Sequence, residues 1–363
     1  MKLPVKMRPL TMAATAVFAF AALIFIWHPC VLWLRLWWNG AWILWPLFMF
    51  LSLATAISYM LPRGRAAAAL HVIGEAAMSP VLLLGTLVFV GYIVKLFWRE
   101  MPLEQAGRVI LAVYILLLAV GAANALRVKL KKYEIKIGKP CPEIKIALIS
   151  DLHLGAFTGK NMLARVVRTV EKASPDVIII AGDLFDHRFS HLRRKDLAAA
   201  ELSRLAAIAP VYACEGNHDL LEESALREEF IKSTGIKWLR DEAANELGAD
   251  FVFRKDIRRG ERLGEEELLR RADKERPVIA VDHNPSRYKA LWEAGADLVL
   301  SGHTHGGQTF PGNLFYGLLT PHFYGLESRL AQHSIVTSGA GIYGTPARLG
   351  TPTEAVLITL KGK

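Results

Sequence analysis

The sequence predicts two parts: an N-terminal region of four transmembrane helices, then an α/β domain with mixed sheets and helices on both sides. Two observations predict this. Long apolar runs and seven of the nine Trp residues lie before Arg127. Beyond it, short β-branched runs alternate with amphipathic stretches, the pattern of a layered α/β domain.

Four apolar segments fill the first third of the chain, at about Leu10–Leu36, Ala41–Leu61, Val72–Phe97 and Val109–Leu126. About 20 apolar residues cross a bilayer, so each can span. The first is too long for a cleavable signal, and no clear small-x-small site follows it. Buried helices of a water-soluble bundle would need a polar face, which these lack. Trp33, Trp37, Trp38, Trp42, Trp45 and Trp98 fall at or near segment ends, as in an interfacial belt.

Flanking charge orients the spans. Lys2, Lys6, Arg8, Arg63, Arg65, Arg127, Lys129, Lys131 and Lys132 lie on one side. Arg35, Lys95, Arg99 and Arg108 lie on the other, with Glu100 and Glu104 among them. The positive-inside rule puts both termini in the cytoplasm. Glu75 is the chief ionisable residue away from the span ends, so the spans read as an anchor rather than a transport path. The expected organisation is an anchor over 1–126, a short basic, Pro-containing linker over 127–142, and the α/β domain over 143–363.

Charge narrows the partners. Residues 1–126 carry nine Lys/Arg against three Asp/Glu, and the remainder 35 against 31. A domain at +4 lacks the strongly basic footprint of a nucleic-acid binder, so no specific nucleic-acid binding is expected. The expected partner is the lipid bilayer, and the oligomeric state is left open. The basic cluster Arg254, Lys255, Arg258, Arg259 and Arg262 reads as solvated surface rather than as a contact for anionic headgroups or substrate. Cys30, Cys141 and Cys214 are isolated and read as free thiols.

Within the α/β domain, strands are expected at Ile144–Ser150, Val177–Ala181, Val211–Cys214, Val278–Val281 and Leu298–Leu300. Helical stretches lie between them, near 160–172, 196–207, 219–233, 263–273 and 286–294. Ser334–Thr337 and Ala355–Leu360 follow with no obvious helix between, which points to a mixed sheet or two packed sheets. Each of the first five strands runs straight into polar residues. These are Asp151 and His153; Asp183; Asn217, His218 and Asp219; His283; and His303 with His305. Open α/β sheets bind ligands at the carboxyl ends of their strands.

Taken singly, most of these groups have an ordinary explanation. Gly182-Asp183 is common turn chemistry, and Gly216-Asn217-His218-Asp219 reads equally as a turn and helix cap. A lone His283 is usually structural. His303 and His305 between Gly302, Gly306 and Gly307 are stronger, because two imidazoles in a glycine-rich turn suit a transition metal. Five such groups in order at strand ends are hard to explain by chance.

The ordered set DLH (151–153), GD (182–183), GNHD (216–219), His283 and GHTH (302–305) resembles the calcineurin-like metallophosphoesterase superfamily. The resemblance covers about residues 142–360. GHTHGGQ (302–308) and GAGIYGTPARLG (339–350) look like its membrane-associated or secreted phosphodiesterase branch, whose members often carry N-terminal membrane segments. The stretch between GNHD and His283 is short, so lid elements that select substrate look reduced.

The resemblance implies two divalent metal ions. Asp151, His153, Asp183 and His305 would hold the first, and Asp183, Asn217, His283 and His303 the second, with Asp183 as the bridge. Such a pair activates water and clamps an in-line displacement at phosphorus. His218 would stand beside the leaving group as acid or donor, with Asp219 orienting its ring. Mixed N/O ligands suit Mn, Fe or Zn. The implied activity is hydrolysis of a phosphodiester or pyrophosphate bond, on a phosphate-ester substrate that is lipid-linked or nucleotide-linked. The competing reading is a non-catalytic metal-binding scaffold on the same fold. Such a protein would be expected to lose ligands or the His of GNHD, and here all are present.

Overall fold

The computed structural model describes residues 64–363 other than 187, 188 and 221–223, with scattered positions between 31 and 61. The expected segments Leu10–Leu36 and Ala41–Leu61 therefore lie, but for those positions, outside the described residues. The third and fourth correspond to helices α1 (Arg65–Phe97) and α2 (Leu103–Leu126). Both are long and apolar enough to cross a membrane. α1 begins seven residues before the expected Val72, because the alanine run 66–69 is strongly helix-forming. On α2, Val109, Ile115 and Leu116 are 61%, 58% and 61% exposed. Among the described residues nothing covers these apolar side chains.

The chain divides into two compact units. One comprises Met1–Ala123 with Gly344–Ala347, the other Asn124–Tyr343 with Arg348–Lys363.

The second unit is built on two six-stranded sheets. The first sheet has the order β1 (Val128–Lys136), β12 (Thr353–Lys361), β2 (Ile144–Ile149), β3 (Val177–Ala181), β4 (Val211–Cys214) and β5 (Lys237–Trp238). β2 to β5 run parallel, β12 is antiparallel to β2, and β1 is parallel to β12. The second sheet has the order β10 (Gly325–Arg329), β11 (Gln332–Val336), β9 (Leu298–Ser301), β8 (Val278–Val281), β7 (Ala249–Phe253) and β6 (Glu242–Glu246). Its four inner strands are parallel, and antiparallel β6 and β10 close its edges. Both sheets are mixed, as expected.

Side-chain alternation assembles the layers. Ile144, Ile146 and Leu148 of β2 point between the sheets, where they meet Phe251, Phe253, Ile279, Val281 and Leu300. Ala147 and Ile149 of the same strand point outward, into a core shared with Leu163, Val166, Val167 and Val170 of α3 (Lys160–Ala173) and with Leu202 and Leu205 of α4 (Lys195–Ile208). The outer face of the second sheet is covered by α5 (Glu265–Leu269) and α6 (Tyr288–Glu293) through Leu268, Leu269, Leu291 and Trp292. Strands buried on both faces are apolar throughout, and β3 and β8 are wholly buried.

One expectation is corrected. Residues 127–142 are not a linker, because 128–136 form β1 and pair with β12 over nine residues. In VKLKKYEIK, Val128 and Leu130 turn to the α3 side, while Tyr133 and Ile135 turn to the core between the sheets. The lysines obscure this alternation in the sequence, yet their stems tolerate an edge strand and their charges blunt it. Ile135 and Ile137 are 1% and 3% exposed. A fragment beginning at Arg127 should therefore melt roughly 10 °C above one beginning at Gly138, since two buried isoleucines and a strand pairing are worth several kcal/mol. Equal midpoints in parallel thermal melts would show that β1 is dispensable.

Candidate active site

The carboxyl ends of β2, β3 and β4 in one sheet and of β8 and β9 in the other meet at one place. There the backbone takes a conformation that side-chain-bearing residues rarely adopt. Asp151, His153, Asp183, His303 and His305 all have positive φ, between 46° and 74°. Each such residue costs about 1–3 kcal/mol, and clusters of them mark functional sites. The strain is held by cross-links between turns. Asp151 N and His153 N donate to Gly182 O and Asp183 O, both at 3.0 Å. His303 N donates to both Asp151 oxygens at 3.0 and 3.1 Å, and His218 N to Asp183 Oδ1 at 2.8 Å.

Glycine permits this crowding at two positions above all. A Cβ on Gly216 would lie 2.1 Å from Asp183 Oδ1, and one on Gly302 would lie 2.3 Å from Asp151 Oδ2.

The side chains gather into two adjoining groups. Asp151, His153 and His305 bring ligand atoms within 4.8 Å of one another, and so do Asp183, His283 and His303. Asp183 Oδ2 stands between the groups, 3.2 Å from His283 Nε2 and 3.7 Å from His153 Nε2. His153 Nε2 and His305 Nε2 face each other at 3.1 Å. Asn217 Oδ1 is buried and has no hydrogen-bond partner.

Electrostatics match this crowding. Burial alone would raise the Asp183 carboxyl, but His283, His218 and His153 outweigh it and hold it well below the usual range. Burial pulls His283 down, yet the Asp183 charge reverses this and brings the imidazole up to about 10. Burial and the neighbouring His153 and Arg348 hold His305 well below its usual value, so its ring is neutral.

These residues fit a pair of divalent cations on three observations. Asn217 Oδ1 is a buried acceptor with nothing to accept, which a native fold tolerates only where a missing group will supply the contact. His283 Nδ1 donates to Ala181 O at 2.8 Å, which leaves Nε2, 3.2 Å from Asp183 Oδ2, as the nitrogen that would turn to a cation once its proton is gone. That is the usual outer-shell arrangement of a ligating imidazole. Finally, the donor set is carboxylate, amide and imidazole throughout, which is the chemistry of a dinuclear hydrolytic centre.

Residues 144–307 match the family described as calcineurin-like phosphoesterase. The chain is 33% identical over 65% of its length to an uncharacterized metallophosphoesterase of Aquifex aeolicus, covering 92% of that protein. The chain belongs to the calcineurin-like metallophosphoesterase family. It is also 30% identical over 60% of its length to the phosphodiesterase YaeI of Escherichia coli, covering 82% of it. Over 73% of its length it is 33% identical to a zebrafish (Danio rerio) transmembrane protein with metallophosphoesterase domain, of which it spans 63%.

Within this metallophosphoesterase, six of the seven residues expected as ligands fall into the two groups, and the seventh, Asn217, is buried in the turn whose next residue, His218, donates its N–H to Asp183. His218 lies beside them, its ring 4.9 Å from that of His153 between centroids. Asp219 does something other than expected. Its carboxylate accepts from Gly216 N and Phe185 N at 2.9 Å and from Leu184 N at 3.3 Å, so it staples the GNHD turn to the end of β3. Burial and the Asp183 charge push it up to about 7, against the pull of the Gly216 and Phe185 donors. The acid beside His218 is instead Asp186, whose carboxylate comes within 4.8 Å of nitrogens of both His218 and His153. Asp186 stands three residues after Asp183 in GDLFD, and that repeat was the available signal.

Tyr343 was also missed. Its ring centroid is 4.9 Å from His153 and 5.0 Å from His218, so it forms an aromatic wall of the site. The basic cluster is not simply solvated surface. Arg254 is 3% exposed and pairs with Asp282 and Glu265 at 3.2 and 2.9 Å. Arg259 and Arg240 grip the fully buried Glu215, the residue before GNHD.

Gly216→Ala should strip the centre of metal, because the added methyl must displace the Asp183 carboxylate. Gly264→Ala, with open space around its Cβ position, should leave metal content unchanged. Metal analysis of the two purified variants checks this, and full metal content in Gly216→Ala would remove Asp183 from the centre.

Proposed function

We propose that this protein is a membrane-anchored, two-metal phosphoesterase that hydrolyses a phosphodiester or pyrophosphate bond. The observation that carries the reading is Asp183 Oδ2, set between the two ligand groups. In this reading Asp151, His153, Asp183 and His305 hold one cation, and Asp183, Asn217, His283 and His303 the other. Their nitrogen and oxygen donors favour Mn, Fe or Zn. Cations held there would supply positive charge for the phosphoryl oxygens and for activation of water.

The chain's own groups do the rest. His218 carries a proton at a ring nitrogen and gives it to the leaving-group oxygen as the ester bond breaks. Asp186, whose carboxylate lies within 4.8 Å of a His218 ring nitrogen, holds that ring in orientation. Asp183 Oδ1, by accepting from His218 N, fixes the backbone from which the ring projects. Tyr343 walls the site beside both His153 and His218, which excludes water from one side of the leaving group. A lipid-linked or nucleotide-linked substrate fits an enzyme anchored in a bilayer.

His218→Ala tests the chemistry. It should keep both metals while turnover falls roughly 10²–10⁴-fold, the range of general acid–base catalysis. The loss should be greatest for an alkoxide leaving group and least for nitrophenolate, which departs without a proton. Loss of metal in this variant, or an equal loss for both leaving groups, would sink the assignment.

The anchor is proposed to have four spans with the catalytic domain in the cytoplasm, on the flanking Lys and Arg counts. An engineered cysteine at exposed Lys232 should resist an impermeant thiol reagent on intact cells and react after lysis. Ready labelling on intact cells would reverse the orientation.

A further inference from the structure

The second unit contains a cavity of about 430 Å³ that the active site does not use. Asn124, Lys129, Lys131, Tyr324, Thr351 and Glu354 line it. On β1, Lys129 and Lys131 share the face that carries Tyr133 and Ile135, two and four residues beyond Lys131, and both reach the cavity wall. Lys131 Nζ lies 4.3 Å above the Tyr324 ring and donates to its hydroxyl at 3.2 Å. That hydroxyl in turn donates to Glu354 Oε2 at 2.9 Å.

The charge balance of this cavity favours an anion. Glu354 is buried, and its carboxylate is already satisfied by Tyr324, Thr337 Oγ1 and Ser338 N. It is therefore a brace for Tyr324 rather than a receptor for a cation. Burial works against the Lys131 charge, but contact with Tyr133 and Tyr324 more than offsets it and keeps the ammonium protonated. Lys129 is exposed. Two ammonium groups thus face an open volume with one buried, saturated carboxylate behind them. Amide and hydroxyl groups stand alongside.

The covalent position of the cavity indicates where its ligand comes from. Asn124 belongs to the last turn of α2. Lys131 follows the end of that helix by five residues, a reach of at most about 18 Å along an extended chain. If α2 spans a membrane, both lysines lie within or just beyond the headgroup layer. Basic residues there attract anionic lipids at about 1 kcal/mol each, roughly a fivefold change in affinity per lysine.

We propose that this cavity binds the phosphate of an anionic phospholipid headgroup, held by Lys129 and Lys131. The shared chemistry is a phosphate anion, and a soluble phosphate ester is the other possible source. The proposal rests on α2 as a membrane span and is independent of the phosphoesterase reading.

Native mass spectrometry of the full-length protein in detergent, titrated with phosphatidylglycerol or phosphatidylcholine, tests it. Lys129→Gln with Lys131→Gln should weaken phosphatidylglycerol retention roughly 30-fold. Phosphatidylcholine adducts and turnover of a small chromogenic diester should be unchanged. Lys129→Gln alone should account for roughly a fivefold loss. Because its side chain is exposed, that single variant keeps the test sound if losing Lys131 disturbs Tyr324. Lys232→Gln, on a distant exposed surface, should change nothing. Undiminished phosphatidylglycerol retention in both lysine variants would overturn the proposal. Displacement of phosphatidylglycerol by an equal concentration of glycerol 3-phosphate would overturn the lipid assignment in favour of a soluble ester. Absence of every lipid adduct from the unaltered protein would remove the span on which the proposal stands.

Discussion

Two carboxylates, Asp151 and Asp183, are buried at 0% and 2% exposure within the same cluster. Charges so placed cannot be stabilised by bulk water, and they are tolerable only if cationic partners face them. Imidazoles are the groups that crowd around them, and an imidazole compensates a carboxylate only by taking a proton or by sharing a cation. The protein alone answers with the proton, which is why the Asp183 charge brings His283 up to about 10. A divalent ion held by these residues would answer the same demand with more charge, taking the place of the imidazole protons. The positive-φ turns follow from this constraint. Only a chain bent sharply back at each strand end can set five ligating side chains of three different strands around so small a volume.

The sandwich exists in the form it does because neither sheet can build the centre alone. β2, β3 and β4 deliver Asp151, His153, Asp183 and Asn217, whereas β8 and β9 deliver His283, His303 and His305. The apolar layer between the sheets therefore sets the distance between the two halves of the ligand set. A one-residue slip of β2 against β3 would turn Ile146 and Leu148 outward and carry Asp151 away from Gly182, whose carbonyl it now meets. Around this frame the polar braces are local. Asp219 binds the GNHD turn to β3, and Glu215 is gripped by Arg240 and Arg259. Fully buried Arg348 ties Ser338 O, Gly341 O and Pro352 O together behind His305.

The ligand set was legible because each member sits in a short turn directly after a β-branched run, where identity and spacing survive without knowledge of the fold. The strands of the inner sheets were legible for the same reason, being continuous apolar runs. What escaped depends on partners far along the chain. β1 is a strand because β12, more than 200 residues later, offers it an edge, and its lysines disguise the alternation. The neighbours of Asp219 in sequence suggested that it serves the histidine beside it. Its actual partners, Leu184 N and Phe185 N, arrive from β3. Asp186 comes within reach of His218 across the same gap. Arg254 and Arg259 looked like solvent-facing charge because Asp282 and Glu215, which neutralise them, come from other strands.

The strand nature of β1 also changes what the anchor means. With a flexible linker of sixteen residues the catalytic domain could sample distances of several tens of ångströms from the last apolar helix. Here α2 ends at Leu126 and β1 begins at Val128, so a single residue, Arg127, joins them. The joint is reinforced from the sheet side, where Thr353 Oγ1 donates to Ala125 O at 3.0 Å and Arg165 to Leu126 O at 2.9 Å. Both bonds lie within the second unit, so β12 and α3 hold the turn that leads into β1. The candidate centre is tied to β1 through β12 and β2. Strand pairing rather than a loose tether therefore joins Arg127 to the candidate centre.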